Sequence, residues 1–220
     1  MAKKNDVNQS VTRRAPQQER ARQKIELIFE ATTRLLDRSE PADISTNAIA
    51  KLSGISIGTL YQYFPDKDAV FKALLARELH GLTERISEVM RAPAARPGGR
   101  VGDVLGAVLD AYGGRQLAHR RLMQYSLERG STGLLGPLLE RLTTSISQQG
   151  VVGPGITIPA LSPADAFVLT HAVAGVMRAA IGPHASGSPN REALERSLTR
   201  LVLTFATGQR RGAPGDGGSS

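Results

Sequence analysis

The sequence predicts an all-α protein: a small N-terminal domain of three helices built around a helix-turn-helix, followed by a larger helical domain. Three observations carry that prediction. Nearly every periodic segment repeats its apolar residues at three- and four-residue spacing, and no stretch alternates convincingly as a strand. Residues 46–63 hold two short capped segments about a glycine, the layout of two helices crossing steeply. The run "RAPAARPGGR", Arg91–Arg100, is a linker that divides the chain.

The elements follow in order. Residues 1–16 read as a disordered basic arm. From Gln17 to about Asp37, Ile25, Ile28, Phe29, Thr32, Leu35 and Leu36 share one helical face, and "SEPAD" ends the helix. Ser45 or Thr46 caps a short second helix, and Ser56 caps a third that ends near Tyr63, completing a domain over 17–64. Pro65 and Asp66 start a long connecting helix, assigned to 65–91, striped by Val70, Phe71, Leu74, Leu75, Leu79, Leu82, Ile86 and Val89. The larger domain is assigned to 92–208, with helices at about 100–112, 116–129, 132–149, 163–181 and 190–207. "GVVGPGITIPALSP" reads as an irregular separator, and 209–220 as a disordered tail.

Composition narrows the function classes. The net charge of +8 suggests a polyanionic partner. Residues 1–24 carry seven Lys/Arg against Asp6 and Glu19. On its own that run is as well explained by a solvated tail. There is no cysteine, hence no disulfide or thiolate metal site, and His119 and His171 lack a partner at metal-ligating spacing. No metal and no cofactor are expected. No nucleophile elbow, phosphate-cradling glycine loop, H-E-x-x-H or usefully spaced acid pair occurs, so the chain does not read as an enzyme. No apolar run approaches the ~18 residues that span a bilayer. The N-terminus has charge without an apolar core, so no secretory signal and no membrane partner are expected, and a cytoplasmic location is.

The chain holds nine aromatic residues, five Phe and four Tyr, and four of them crowd into "SGISIGTLYQYFPDKDAVF", Ser53–Phe71. In a helix-turn-helix the first helix needs a small residue where the second crosses it, here Ala50. The turn needs a residue that accepts positive φ, here Gly54. Ile49, Ile55 and Leu60 plug the gap. The 100° helical step then turns Leu60 and Phe64 inward and leaves Ile57, Gly58, Thr59, Tyr61, Gln62 and Tyr63 outside or at the rim. That is a poor solvent face and a sensible major-groove face. Gly58 lets backbone approach a base edge, Gln62 can pair with adenine, and Thr59 or Ile57 can touch a thymine methyl. Tyrosine hydroxyls at the rim can bond phosphate oxygens. Lys67 lies in the first turn of a helix, where a cation is disfavoured by ~0.3–1 kcal/mol. Asp66 and Asp68 make a balanced surface turn one reading, and an approaching phosphate is the other, favoured one.

The stretch "STNAIAKLSGISIGTLYQYFPDKDAVFKALL" resembles the DNA-binding domain of the tetracycline-repressor (TetR) family of bacterial regulators, over roughly residues 17–75. The Gly-Thr-Leu-Tyr-x-Tyr-Phe-x-x-Lys run is that family's most diagnostic signature. The resemblance implies that Thr46, Tyr61, Tyr63 and Lys67 meet phosphates and that Ser56, Ile57, Gly58, Thr59 and Gln62 lie at or near bases. Relatives often carry a more polar residue where Ile57 stands. Beside such a motif, Arg20 and Arg22 of the basic run become candidate phosphate contacts.

The resemblance further implies a ligand-responsive homodimer, a repressor of a palindromic operator in double-stranded DNA. Its second domain would bind a small-molecule effector and dimerise through the last two long helices. Small residues Ala172, Gly175 and Ala179 form a stripe that permits close helix approach, with Phe167 beside it. Leu194, Leu198, Leu201 and Phe205 repeat along the last helix. A four-helix seam between two copies and plain internal core are both open readings of these residues. For the effector, Tyr112, Arg115, His119, Met123 and Tyr125 are candidate pocket residues, with His171, Met177 and Arg178. The competing function is a helical module that binds DNA without sequence preference or binds proteins.

Overall fold

In a computed structural model, the structure describes residues 6–95, 98–113, 117–130, 133, 135–181 and 190–208. The chain packs as two units. The first runs to Leu75 and takes in Leu117–Tyr125; the second holds the remainder. The larger domain expected over 92–208 therefore gives up one segment, and the long connecting helix divides between the units after Leu75.

In the first unit, α1 spans Asp6–Leu36. It begins well before Gln17, so 6–16 carry helical backbone where a disordered arm was expected. Amphipathic spacing forecasts which part of a helix packs, not where the backbone stops. Gln, Glu and Arg lose little on joining a helix, and adding a residue to an existing helix is cheap. The packed part is the expected one: Ile28, Thr32 and Leu36 are fully buried, and the Thr32 hydroxyl donates to the Ile28 carbonyl at 2.7 Å. A 3-10 turn, Pro41–Asp43, leads into α2 (Thr46–Ser53), α3 (Ile57–Tyr63) and α4 (Lys67–Arg91). Buried Ile49, Ala50, Leu60, Phe64, Val70 and Phe71 close this core.

Part of α6 (Leu117–Glu128) belongs to the same unit. The Arg121 guanidinium donates to the carbonyls of Leu36 at 2.8 Å and Ser39 at 3.2 Å and pairs with Glu40 at 2.6 Å. A cation placed on the last carbonyl of α1 and one just beyond it satisfies an orphan acceptor and meets the negative end of the helix dipole. The Ala118 amide donates to Asp37 at 3.0 Å, and the Tyr125 hydroxyl donates to Asp68 at 2.7 Å while its ring meets Phe71 edge-on.

The second unit contains α5 (Gly99–Gly113), α7 (Gly136–Gln149), α8 (Pro163–Ile181) and α9 (Arg191–Gly208). These helices agree with the expected ones to within a few residues. The stretch read as an irregular separator instead holds an antiparallel hairpin, β1 (Val151–Gly153) and β2 (Ile156–Ile158), with Val151 opposite Ile158. Strands of three residues are too short to show alternation, which is why the pattern missed them. Gly150, at φ 78°, turns the chain out of α7, and a Cβ there would lie 2.1 Å from the Ile158 carbonyl oxygen. Val151 and Ile158 join Leu161, Ala166, Leu169 and Val202 in a buried cluster. Among the described residues, no helix is long and apolar enough to cross a membrane.

Candidate nucleic-acid interface

The helix-turn-helix is set by local chemistry. The Ser45 hydroxyl accepts from the Ala48 amide at 3.2 Å and caps α2. Gly54, at φ 70°, ends it in the left-handed conformation that only glycine adopts without strain. The Ser56 hydroxyl accepts from the Thr59 amide at 3.0 Å and caps α3. Ile49 of α2 and Leu60 of α3 are wholly inaccessible in the core the two helices share.

The outer face of α3 is open. Ile57 is 36% and Tyr61 51% exposed, Gly58 and Gln62 are exposed, and Thr59 and Tyr63 are half-buried. A Cβ added at Gly58 would meet nothing nearer than the Ser56 hydroxyl at 4.0 Å. Neither packing nor backbone conformation requires glycine there. The candidate phosphate ligands Thr46 and Tyr61, fifteen residues apart, come together: their hydroxyl oxygens are 3.1 Å apart.

Two residues carry structural duties that their expected roles did not include. Ser56, expected near bases, spends its hydroxyl on the cap and on the Thr59 hydroxyl at 2.8 Å. Lys67, expected on a phosphate, donates from Nζ to the carbonyls of Pro41 and Ala42, each at 3.0 Å. An ammonium has three hydrogens, so one remains for a further acceptor. Arg20 and Arg22 stand exposed on α1.

The effector-pocket residues are not brought together. Tyr112's side chain and Arg115 lie outside the described residues. His119, Met123 and Tyr125 are buried in the first unit, because that side of α6 faces α1 and α4 there. Met177 is buried in the second unit, Arg178 is exposed, and exposed His171 stacks on Phe167 at 3.9 Å. None of them lines the half-open cavity of the second unit, about 350 Å³ between α5, α7, α8 and the hairpin.

That cavity is walled chiefly by aliphatic residues of α5, α7 and β1. Its lining includes Arg100 and Thr170, whose Nε and Oγ1 are buried without a hydrogen-bond partner. The sequence held a signal for Arg100: it is a cation in the first turn of α5, the same disfavoured position that singled out Lys67.

Of the seam candidates, Phe167 (54% exposed), Ala172, Gly175 and Ala179 lie open on α8, with Leu201 open on α9. Leu194 and Leu198 are instead buried within the chain, and Phe205 packs half-buried against the internal cluster. Those three serve the unit's own core, because their side of α9 faces inward.

A capped helix pair with an open, glycine-bearing second helix is the architecture of helix-turn-helix DNA readers. Residues 28–74 match the family model of bacterial regulatory proteins, tetR family. An HTH-type transcriptional regulator of Mycobacterium tuberculosis H37Rv is 41% identical over 59 residues, 27% of this chain and 29% of that protein. The regulator BetI of Paraburkholderia phytofirmans is 30% identical over 84 residues, 38% of this chain and 43% of its own. This chain thus spans about 29% and 43% of the lengths of these relatives. Among solved structures, FadR of Bacillus subtilis in complex with stearoyl-CoA superposes with TM-score 0.61 at 16% identity, over 82% of this chain and 98% of that one. The TetR family repressor AlkX of Dietzia superposes at 0.58 with 18% identity, over 84% and 96%. Residues 28–74 are thus similar to the DNA-binding domain of tetR-family regulators, and the described residues share the fold of these solved structures, all-helical apart from the small hairpin.

Proposed function

We propose that the protein is a cytoplasmic, homodimeric transcriptional repressor that binds a palindromic operator and releases it when a small molecule enters the second unit. The observation that carries this reading is the outer face of α3. Gly58, which the fold does not need as glycine, stands exposed beside Ile57 and Gln62, flanked by the paired hydroxyls of Tyr61 and Thr46. On this reading Gln62 and Ile57 read bases, and Tyr61, Thr46, Tyr63 and Lys67 anchor phosphates.

A single such head reads a few base pairs; two heads one helical turn apart read a palindrome. The open apolar face of α8, Phe167, Val168, Ala172, Gly175, Val176 and Ala179, suits a second copy. For release, α4 supplies the link. Its Met90 lines the cavity, and its first turns belong to the DNA-reading unit. A ligand that prefers one setting of α4 shifts the heads off their spacing.

Selection of bound sequences from random DNA, followed by footprinting, tests this. The expected result is a palindrome of defined length whose affinity falls steeply with salt. Uniform coating of DNA would favour a module without sequence preference, and no binding at low salt would end the proposal.

A further inference from the structure

We propose that the molecule taken up by the second unit is an apolar monocarboxylate, its carboxylate received by Arg100 and Thr170 and its hydrocarbon body by the aliphatic wall. This rests on the effector reading above and specifies its chemistry.

Two sites compete for a ligand. The wider groove of about 640 Å³ between α4 and α7 is lined by several charged residues, and Arg141 among them is already matched: it donates to the Ser87 hydroxyl at 2.6 Å and lies 3.7 Å from Glu84. The smaller cavity is the opposite case. Val101, Val104, Leu105, Leu142, Val151 and Val202 give it an apolar wall, and no aromatic residue lines it. Among the described residues its lining holds one cation, Arg100, and no carboxylate.

The polar atoms decide the class of guest. The Nε–H of Arg100 and the hydroxyl of Thr170 are buried and have no hydrogen-bond partner among the described residues. Buried donors of this kind are costly unless something accepts from them. A guanidinium edge matches the two oxygens of a carboxylate, and a hydroxyl adds a further donor. A cationic guest is repelled by Arg100. A neutral alcohol leaves the guanidinium's charge uncompensated, and a dianion brings a second charge into an apolar wall. At about 350 Å³ the hollow lies at the small end of ligand sites, so medium-chain acids centred on decanoate are the series to test.

Calorimetric titration of the full-length protein with the saturated acids from hexanoate to tetradecanoate tests this. Decan-1-ol, decylamine and decanoyl-CoA are the comparison arms. Affinity is expected to rise about fourfold per CH₂ until the cavity is full. Decanol and decylamine should bind at least about tenfold more weakly than decanoate. Arg100→Met should lose the acid about tenfold or more and erase its advantage over decanol, whereas Arg100→Lys should keep part of it. Thr170→Val, nearly isosteric, should weaken the acid less and guards against a folding defect in the first variant. Equal binding of acid and alcohol, tighter binding of the CoA thioester, or an acid affinity indifferent to Arg100 would each overturn the proposal. Operator affinity is measured in parallel. Decanoate bound through Arg100 without any change at DNA keeps the ligand class and removes the effector reading. DNA release by another molecule, with no acid bound, does the reverse.

Discussion

The phenolic oxygen of Tyr61 lies 3.1 Å from the Oγ1 of Thr46, so the first residue of α2 and the exposed face of α3 present two hydroxyls at one point. An exposed bond between two neutral groups contributes about 1 kcal/mol or less to stability; one hydroxyl spends its hydrogen on the other, and on the reading proposed above the remaining hydrogen meets a phosphate. Tyr61→Phe and Thr46→Val are each expected to leave the melting temperature nearly unchanged and to weaken DNA binding about tenfold, equally for all sequences. Titration of specific and scrambled duplexes checks this; unchanged affinity in both variants would remove the pair from the interface.

Gly58 separates folding from function. The added methyl of Gly58→Ala meets only open space, and removing a helical glycine stabilises by roughly 0.5–1 kcal/mol. The variant is expected to melt higher and bind the operator more weakly, and Gly58→Val to lose specific binding with the fold intact. Calorimetry and a DNA titration on the same sample decide. A stabilised variant with full affinity would show that no base edge approaches this backbone.

Lys67 is expected to act twice. Two of its ammonium hydrogens hold the carbonyls of Pro41 and Ala42, so Lys67→Met should cost about 1–2 kcal/mol in unfolding. The third hydrogen reaches phosphate on the reading above, so the slope of log K against log salt should flatten by about one. A stability loss with an unchanged slope would make Lys67 purely a clasp within the first unit.

Arg121 closes the C-terminal end of α1 from a position 85 residues away in sequence. Its side chain is only 18% exposed, and removing it strands two carbonyls and Glu40. Arg121→Ala is expected to destabilise the first unit by roughly 2–3 kcal/mol. Arg121→Lys should recover only part, since a single ammonium lacks the planar fork. Hydrogen exchange of the α1 amides reports the effect; unchanged protection in the alanine variant would contradict it.

Gly150 should tolerate no side chain. It combines φ 78° with a Cβ position 2.1 Å from a carbonyl oxygen. Gly150→Ala is expected to cost about 2 kcal/mol or more and to loosen the hairpin that walls the cavity. A melting curve with ligand titration checks this, and a variant indistinguishable from wild type would refute the backbone reading.

Most helices, the caps and the turn at Gly54 were legible in the sequence, because each is decided by neighbours three or four residues away. Ser45, Ser56 and Gly54 perform the functions their positions implied. The outward face of α3 was legible for the same reason: Leu60 and Phe64 had to go inside, so Tyr61 and Gln62 could not. The start of α1 was not, because 6–16 carry no packing stripe to mark where the backbone becomes helical. The hairpin over 151–158 escaped because its strands are shorter than the period that reveals strands.

By itself, then, the amino-acid order determined the helices that pack and which side of α3 would meet solvent, since covalent geometry and nearest-turn contacts settle both. Tertiary structure alone decided the partners of α6, the inward turn of Leu194, Leu198 and Phe205, and the assembly of Arg100 with Thr170, seventy residues on, around one cavity. Each of those depends on which of a helix's faces another element covers. An amphipathic repeat states that a face is covered without stating by what, and only long-range packing supplies the answer.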